Sequence, residues 1–159
     1  MKISIVCVGK IKEKFYRDAI EEYAKRLSRY CKLEICEVTD EKTPDLPSEA
    51  QKSQILKKEA ERMDKYLKQD AYVIALAIEG KKMSSEQFAD CIDQLGITGT
   101  SHIAFVIGGS LGLDESILKR ADRKLSFSDM TFPHQLMRVI LLEQIYRGYR
   151  IISGEPYHK

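Results

Sequence analysis

The strongest constraint on the fold is a repeated change of hydrophobic period along the chain. Strand-length apolar runs such as 2–8 and 102–107 alternate with longer segments, such as 13–29, whose apolar residues recur every three or four positions. The first pattern is typical of strands and the second of amphipathic helices. Their alternation predicts an α/β fold with a mainly parallel sheet of five to six strands and helices on both faces.

Five strands and five helices are predicted, and local signals set their ends. Gly80 is expected to end the third strand, Ser84 and Gln87 form a capping-box pattern, and Pro133 suits a first helical turn. The predicted strands are 2–8, 32–39, 72–78, 102–107 and 123–128. The predicted helices are 13–29, 49–68, a short one after Ser84, 114–121, and a last one that begins near Pro133.

Size and charge limit the possible classes of protein. The chain has 159 residues, of which 43% are hydrophobic and 31% charged, which predicts a single domain over 1–159. Its apolar runs are too short to span a membrane, and we expect no signal peptide. A net charge of +2 gives no argument for a nucleic-acid partner, so such a partner must be inferred from a site.

The four cysteines form no C-x-x-C pair. We interpret them as reduced, packed side chains of a cytoplasmic protein. The alternative is a metal site that combines Cys31 and Cys36 with His102 or His134. Its spacing matches no zinc signature, and we predict no metal.

The last helix is apolar over most of its circumference, from Leu136 to Tyr146. One sheet cannot cover that much apolar surface. We therefore predict a homodimer formed through this helix.

Ligands of open parallel sheets bind beyond the carboxyl ends of the strands. The loop after Ile107 is Gly108-Gly109-x-x-Gly112, which allows backbone to approach a ligand but matches neither the dinucleotide nor the Walker pattern. A turn that only needs positive φ explains these glycines equally well.

Two later segments also carry candidate groups. The loop 125–134 combines hydroxyls, apolar side chains and backbone amides, which suits a purine-containing ligand. The alternative is a helix-capping loop with Thr131 as the cap and His134 in the first turn. The terminal segment 154–159 places Tyr157 beside His158, a stacking surface next to a group that titrates near neutrality.

Several separated motifs, taken in order, resemble one known family. They are Ile107-Gly108-Gly109-x-x-Gly112-Leu113, the loop 125–134, Arg138, Glu143, Tyr146-Arg147 and Pro156-Tyr157-His158. In order and spacing they resemble the SPOUT-class, α/β-knot methyltransferases of the ribosomal RNA large subunit methyltransferase H family. The resemblance covers essentially the whole chain. One departure is Leu76-Ala77, where that family has Leu-Asp.

The resemblance implies a C-terminal trefoil knot, an exception to the usual unknotted topology, an obligate homodimer and an S-adenosylmethionine site. It also implies methyl transfer to N3 of a pseudouridine in 23S ribosomal RNA of the assembled ribosome. The implied cofactor-binding residues are Leu76, Gly108, Phe127, Ser128, Asp129, Met130, Thr131 and Phe132.

Transfer to a ring nitrogen needs in-line approach, loss of the nitrogen's proton and exclusion of water. We predict His158 as the base or the group that orients it, Arg138 as a cation that stabilises the resulting anion, and Tyr157 as a stacking partner of the target base. Arg138 has the alternative role of pairing with Glu143 or a helix end. His134 is a candidate for orienting the loop or contacting RNA, and its alternative role is that of a cap.

Two rival functions remain at this point. One is a methyltransferase of the same fold that acts on tRNA. The other is a noncatalytic nucleotide-binding module associated with the ribosome.

Overall fold

Ten elements form a parallel sheet covered by helices in the computed structural model, which describes residues 1–159. The strands are β1 Lys2–Val8, β2 Lys32–Val38, β3 Tyr72–Lys82, β4 His102–Ile107 and β5 Arg123–Ser126. The strand order is β2-β1-β4-β3-β5, and all pairs are parallel. The helices are α1 Lys14–Leu27, α2 Glu49–Asp64, α3 Ser85–Ile97, α4 Glu115–Arg120 and α5 His134–Ile152.

The two faces of the sheet bury separate cores because successive side chains of a strand point to opposite faces. On β1, Ile3, Ile5 and Cys7 pack with residues of α1, α3 and α5. Val6 and Val8 pack instead with residues of α2 and α4. The predicted α/β class with helices on both faces is confirmed, and the sheet has five strands.

Side-chain caps fix the starts of three helices. Ser48 with Gln51 and Ser84 with Gln87 form reciprocal capping boxes, and the second confirms the sequence pattern. The carboxylate of Asp114 accepts the backbone N–H of Ser116. The alternative of Thr131 as a cap is wrong, since Pro133 holds that position in α5 and makes no side-chain cap hydrogen bond.

The third strand continues past Gly80, contrary to prediction. Its pairing with β5 shifts register between Leu76 and Lys81, so the residues between them form a bulge. A Cβ atom at Gly80 would lie 2.7 Å from the backbone carbon of Lys124. Glycine is present here because it lets two backbones meet, and its φ is not in the left-handed region that would mark a turn.

The fifth strand is shorter than predicted and ends at Ser126. The Ser126 hydroxyl donates to the Ser128 carbonyl at 3.1 Å, and the Ser128 hydroxyl accepts the Met130 N–H at 3.0 Å. These two hydrogen bonds stabilise a turn, and Phe127 and Ser128 therefore lie outside the strand.

All four cysteines are free, and no three His, Cys, Asp or Glu side chains gather closely enough to hold a metal ion. No helix has the length and apolarity needed to cross a membrane.

Gly80→Ala should destabilise the fold by about 1–3 kcal/mol, because the added methyl group meets backbone that cannot move independently. Gly96→Ala is the matched control. There the new Cβ would have only the end of the Met1 side chain nearby, at 3.7 Å, and alanine favours the helix. Chemical denaturation of both variants measures the difference. Equal stability of the two would contradict the close approach at Gly80.

Candidate functional site

A cavity of about 880 Å³ lies at the carboxyl ends of β3, β4 and β5. The loops that follow these three strands meet there, as the parallel topology predicts. Its lining is 76–79, 107–113, 125–128, 130–135, Leu118 and Met137. A volume in the range of about 300–1,000 Å³ and a mainly apolar wall are typical of small-molecule sites.

Seven of the eight residues predicted to bind a cofactor line this cavity: Leu76, Gly108, Phe127, Ser128, Met130, Thr131 and Phe132. Asp129 is the exception. Its carboxylate pairs with the Lys82 ammonium at 2.7 Å, and its side chain is 81% exposed. The structure therefore places Asp129 beside the loop cluster but outside the cavity wall.

The glycine loop is tightly closed on itself. A Cβ atom at Gly108 would overlap the carbonyl of Gly112, and Gly112 has φ +88° and donates its N–H to the Gly109 carbonyl at 3.1 Å. Gly112 thus meets the need for positive φ, whereas Gly108 meets the need for close backbone approach. The need for a positive φ is confirmed at Gly112, whereas the approach of this loop's backbone to a ligand stays a prediction.

His134 begins α5 and lines the cavity. The Cε1 atom of its ring would lie 3.4 Å from a Cβ at Gly9, and its buried Nδ1 has no hydrogen-bond partner. Burial, followed by the charge of Arg138, lowers the pKa of His134. The imidazole is therefore uncharged at neutral pH.

Arg138 lies one turn further along α5 and is only 1% exposed. Its Nη1 donates to the Glu37 carboxylate at 2.6 Å, and its Nη2 donates to the carbonyls of Gly9 at 2.6 Å and Val8 at 3.2 Å. The alternative pairing with Glu143 does not occur. Arg138 ties α5 to the ends of β1 and β2 and does not line the cavity.

The terminal segment folds back on α5. The Tyr157 hydroxyl donates to Glu143 at 2.8 Å, and Arg147 lies over the Tyr157 ring, 4.7 Å from its centroid. His158 bonds Arg147 at 3.1 Å through Nδ1 and Glu86 at 2.7 Å through Nε2. Burial and the bond to Glu143 raise the pKa of Tyr157 to about 12, so this phenol is protonated at neutral pH.

Comparisons with known proteins identify the family. The family described as "Predicted SPOUT methyltransferase" matches residues 1–158. The chain belongs to the SPOUT methyltransferase family. It is 67% identical to ribosomal RNA large subunit methyltransferase H of Bifidobacterium adolescentis and 61% identical to the protein of the same name from Clostridium beijerinckii, over the full length of all three chains.

A solved structure supports the fold of this SPOUT chain. It is described as that of a probable methylase family protein from Haemophilus influenzae, and it aligns with a TM-score of 0.56 at 14% identity. The alignment covers 99% of this chain and 70% of the other. At that identity the likeness concerns the fold alone.

The candidate catalytic residues Arg138, Tyr157 and His158 do not meet in one place within a single chain. Met137 is the last cavity-lining residue of α5. It lies roughly 9 Å along the helix axis from Glu143, the partner of Tyr157, and roughly 15 Å from Arg147, the partner of His158. Neither Tyr157 nor His158 lines the cavity of its own chain. Arg138 lies nearer. Its two Nη atoms bond Glu37 and the carbonyls of Val8 and Gly9, and its buried Nε has no hydrogen-bond partner.

Two residues at or beside the site are not among the predicted ones. Glu37 does not line the cavity but pairs with Arg138. The signal for it is an acid in phase with the apolar residues Leu33 and Ile35 of β2, which indicates a cationic partner. Glu79 lines the cavity and was hidden because the strand was expected to end at the neighbouring Gly80.

Arg138→Ala should lower the free energy of unfolding by roughly 3–5 kcal/mol, because it leaves the Glu37 carboxylate and two carbonyls without their partner. Denaturant titration measures this loss. Arg62→Ala is a control, since Arg62 also bonds a carbonyl and a glutamate but near the surface. In an Arg138→Ala, Glu37→Gln cycle, additive losses would contradict a direct interaction.

Proposed function

We propose that this SPOUT chain transfers a methyl group from S-adenosylmethionine to N3 of a pseudouridine in 23S ribosomal RNA, with the assembled ribosome as substrate. The observation that carries the proposal is the cavity formed by the loops after β3, β4 and β5, where seven of the implied cofactor-binding residues lie. The names of the full-length relatives support ribosomal RNA of the large subunit as the substrate.

The cavity fits a cofactor with a flat purine and many polar edges. Its wall is mainly apolar, and the close approach at Gly108 leaves backbone at the surface without a side chain. The residues that would hold the cofactor are Leu76, Gly108 and the loop residues 127, 128 and 130–132. Asp129, the remaining implied residue, pairs with Lys82 outside the cavity wall. The cofactor supplies an activated methyl group on its sulfonium. Nothing in this reaction requires a metal.

The chain's own residues have three tasks: they orient the target ring, hold its negative charge and remove the N3 proton. We propose His158 for the proton and Tyr157 for stacking on the target base. The high pKa of Tyr157 supports a role as a neutral donor or stacking surface and argues against its acting as the proton acceptor. For Arg138 we propose a positive charge near the site, which its bonds to β1 and β2 hold in place.

The distance between the terminal segment and the cavity of the same chain supports a homodimer in which one copy completes the site of the other. Leu136, Val139 and Ile140 lie on α5 at helical spacing, next to cavity residues Gln135 and Met137, and are absent from both packed cores. A second copy that covers this partly exposed apolar face would bring a terminal segment from another chain toward the cavity.

The path of the C-terminal third is consistent with the proposed trefoil knot. The chain leaves β5 at one edge of the sheet, and Arg138 then bonds carbonyls at the end of β1, on the far side of β4. We propose that this segment passes through a loop of the chain. We also propose the cytoplasm as its location, where assembled ribosomes are present.

Methyl incorporation from labelled S-adenosylmethionine tests the function. The substrates are intact ribosomes, free 50S subunits, naked ribosomal RNA and tRNA, and mapping of the modified nucleotide tests the N3 assignment. We expect incorporation into assembled particles and little into free RNA. Incorporation into tRNA alone would establish the rival methyltransferase, and cofactor binding without any incorporation would favour the noncatalytic module.

His158→Ala should lower the rate of methyl transfer by roughly 100-fold or more if His158 handles the proton, while cofactor affinity is unchanged. Ser153→Ala, an exposed change at the end of α5, controls for disturbance of the terminal segment. Rate measurements across pH separate a proton-transfer role from positioning. A parent-like rate for His158→Ala would remove this residue from the mechanism.

Ile140→Asp should convert the dimer to a monomer, because a carboxylate cannot be buried in an apolar interface without a partner. Sedimentation velocity measures the change, and circular dichroism checks that the monomer is folded. Ile97→Asp is the matched control, since Ile97 is 68% exposed on α3. A monomeric parent chain would contradict the homodimer.

A further inference from the structure

The cavity wall carries a single formal charge. Among its lining residues, Glu79 is the one carboxylate, and no lysine, arginine or aspartate lines the space. His134, the other ionisable side chain of the wall, is uncharged at neutral pH because its pKa is lowered by burial. The formal charge of the lining is therefore negative and comes from one residue.

Glu79 is held at the cavity by the bulge in β3. The register shift between Leu76 and Lys81 carries Ala77, Ile78 and Glu79 out of the strand pairing with β5, and all three line the cavity. Gly80 fixes the base of the bulge because its backbone lies directly against Lys124 and Leu125. The position of Glu79 is thus determined by backbone packing.

The Glu79 carboxylate has no partner in the protein. It forms none of the salt bridges and side-chain hydrogen bonds of the chain, and it is exposed to solvent. Two lysines follow Glu79 on β3. Lys82 pairs with Asp129, and neither Lys81 nor Lys82 lines the cavity. An unpaired carboxylate at the rim of an apolar cavity favours ligands that carry positive charge.

We propose that Glu79 makes the cavity discriminate between the cationic cofactor and its uncharged thioether product, an inference that rests on the proposed function. In the reaction the bond between sulfur and the methyl carbon breaks, and sulfur keeps its electron pair. The deprotonated N3 forms the new bond to the methyl carbon. Sulfur thereby loses its positive charge, and the attraction to Glu79 ends at the moment of transfer.

The two ligands isolate this interaction because they differ only in the methyl group and the sulfonium charge. Their carboxylates and amino groups are the same, so the partial positive charge at the start of α5, where Pro133 and His134 line the cavity, acts equally on both. For an exposed carboxylate several ångströms from a single charge, the attraction is worth roughly a three- to ten-fold difference in affinity and decreases as salt increases.

The consequence for turnover is faster release of product. A site that binds cofactor and product equally well is inhibited as product accumulates. Because the attraction to Glu79 is lost when the methyl group is transferred, the product dissociates more readily and a new cofactor molecule binds in its place. This exchange requires no movement of the protein.

Calorimetric titration with S-adenosylmethionine and with S-adenosylhomocysteine tests the proposal on the full chain and on Glu79→Gln. We expect cofactor affinity to decrease about three- to ten-fold in the variant and product affinity to change less than two-fold. The difference should shrink at high salt. Glu115→Gln is the matched control, because Glu115 is also an exposed carboxylate but does not line the cavity.

The outcomes separate this inference from the proposed function. If the parent binds both ligands and their affinity ratio is the same in Glu79→Gln, the inference is wrong and the function stands. An equal loss for both ligands would mean that Glu79 bonds a group they share, which also overturns discrimination by charge. If the parent binds neither ligand, the proposed function itself fails.

Discussion

The buried guanidinium of Arg138 joins parts of the chain that are distant in sequence. It bonds the Gly9 carbonyl after β1 and the Glu37 carboxylate on β2, while its own helix supplies one wall of the cavity. A charge that is 1% exposed is stable only when its partners remain in place. The start of α5, and with it His134, therefore keeps its position relative to the sheet, and the cavity is formed before any ligand arrives.

Hydrophobic period was sufficient to predict the elements and the α/β class, because each strand and helix buries a face whose spacing is visible in the sequence. The predicted strand ends were wrong where contacts of the backbone determine where a strand ends. Gly80 is a strand residue because it touches the backbone of β5, and this contact leaves no local pattern. Ser126 and Ser128 end β5 through bonds to the loop, so an apolar residue, Phe127, lies outside the strand.

The location of the candidate site followed from topology, since parallel strands place the loops at their carboxyl ends together. The ion-pair partners of individual side chains did not follow from the topology. The alternative role of Arg138 as a partner of Glu143 on its own helix is wrong. Because α5 buries Arg138 against the sheet, it pairs with Glu37, far along the chain. Glu143 pairs instead with Arg147 and Tyr157. Such pairings depend on packing between elements, which spacing along one element does not encode.

The attachment of Glu155 limits how far the end of the chain can reach. Its carboxylate accepts from Arg150 and from the Tyr30 hydroxyl, each at 2.6 Å, so the segment is tethered before Tyr157 and His158. From that tether a fully extended chain carries His158 only roughly 11 Å. The cavity of the same chain lies beyond that radius along α5. If this histidine serves the cavity of a second copy, that cavity must lie within the same roughly 11 Å of Glu155. Only a few relative orientations of the two copies meet this condition.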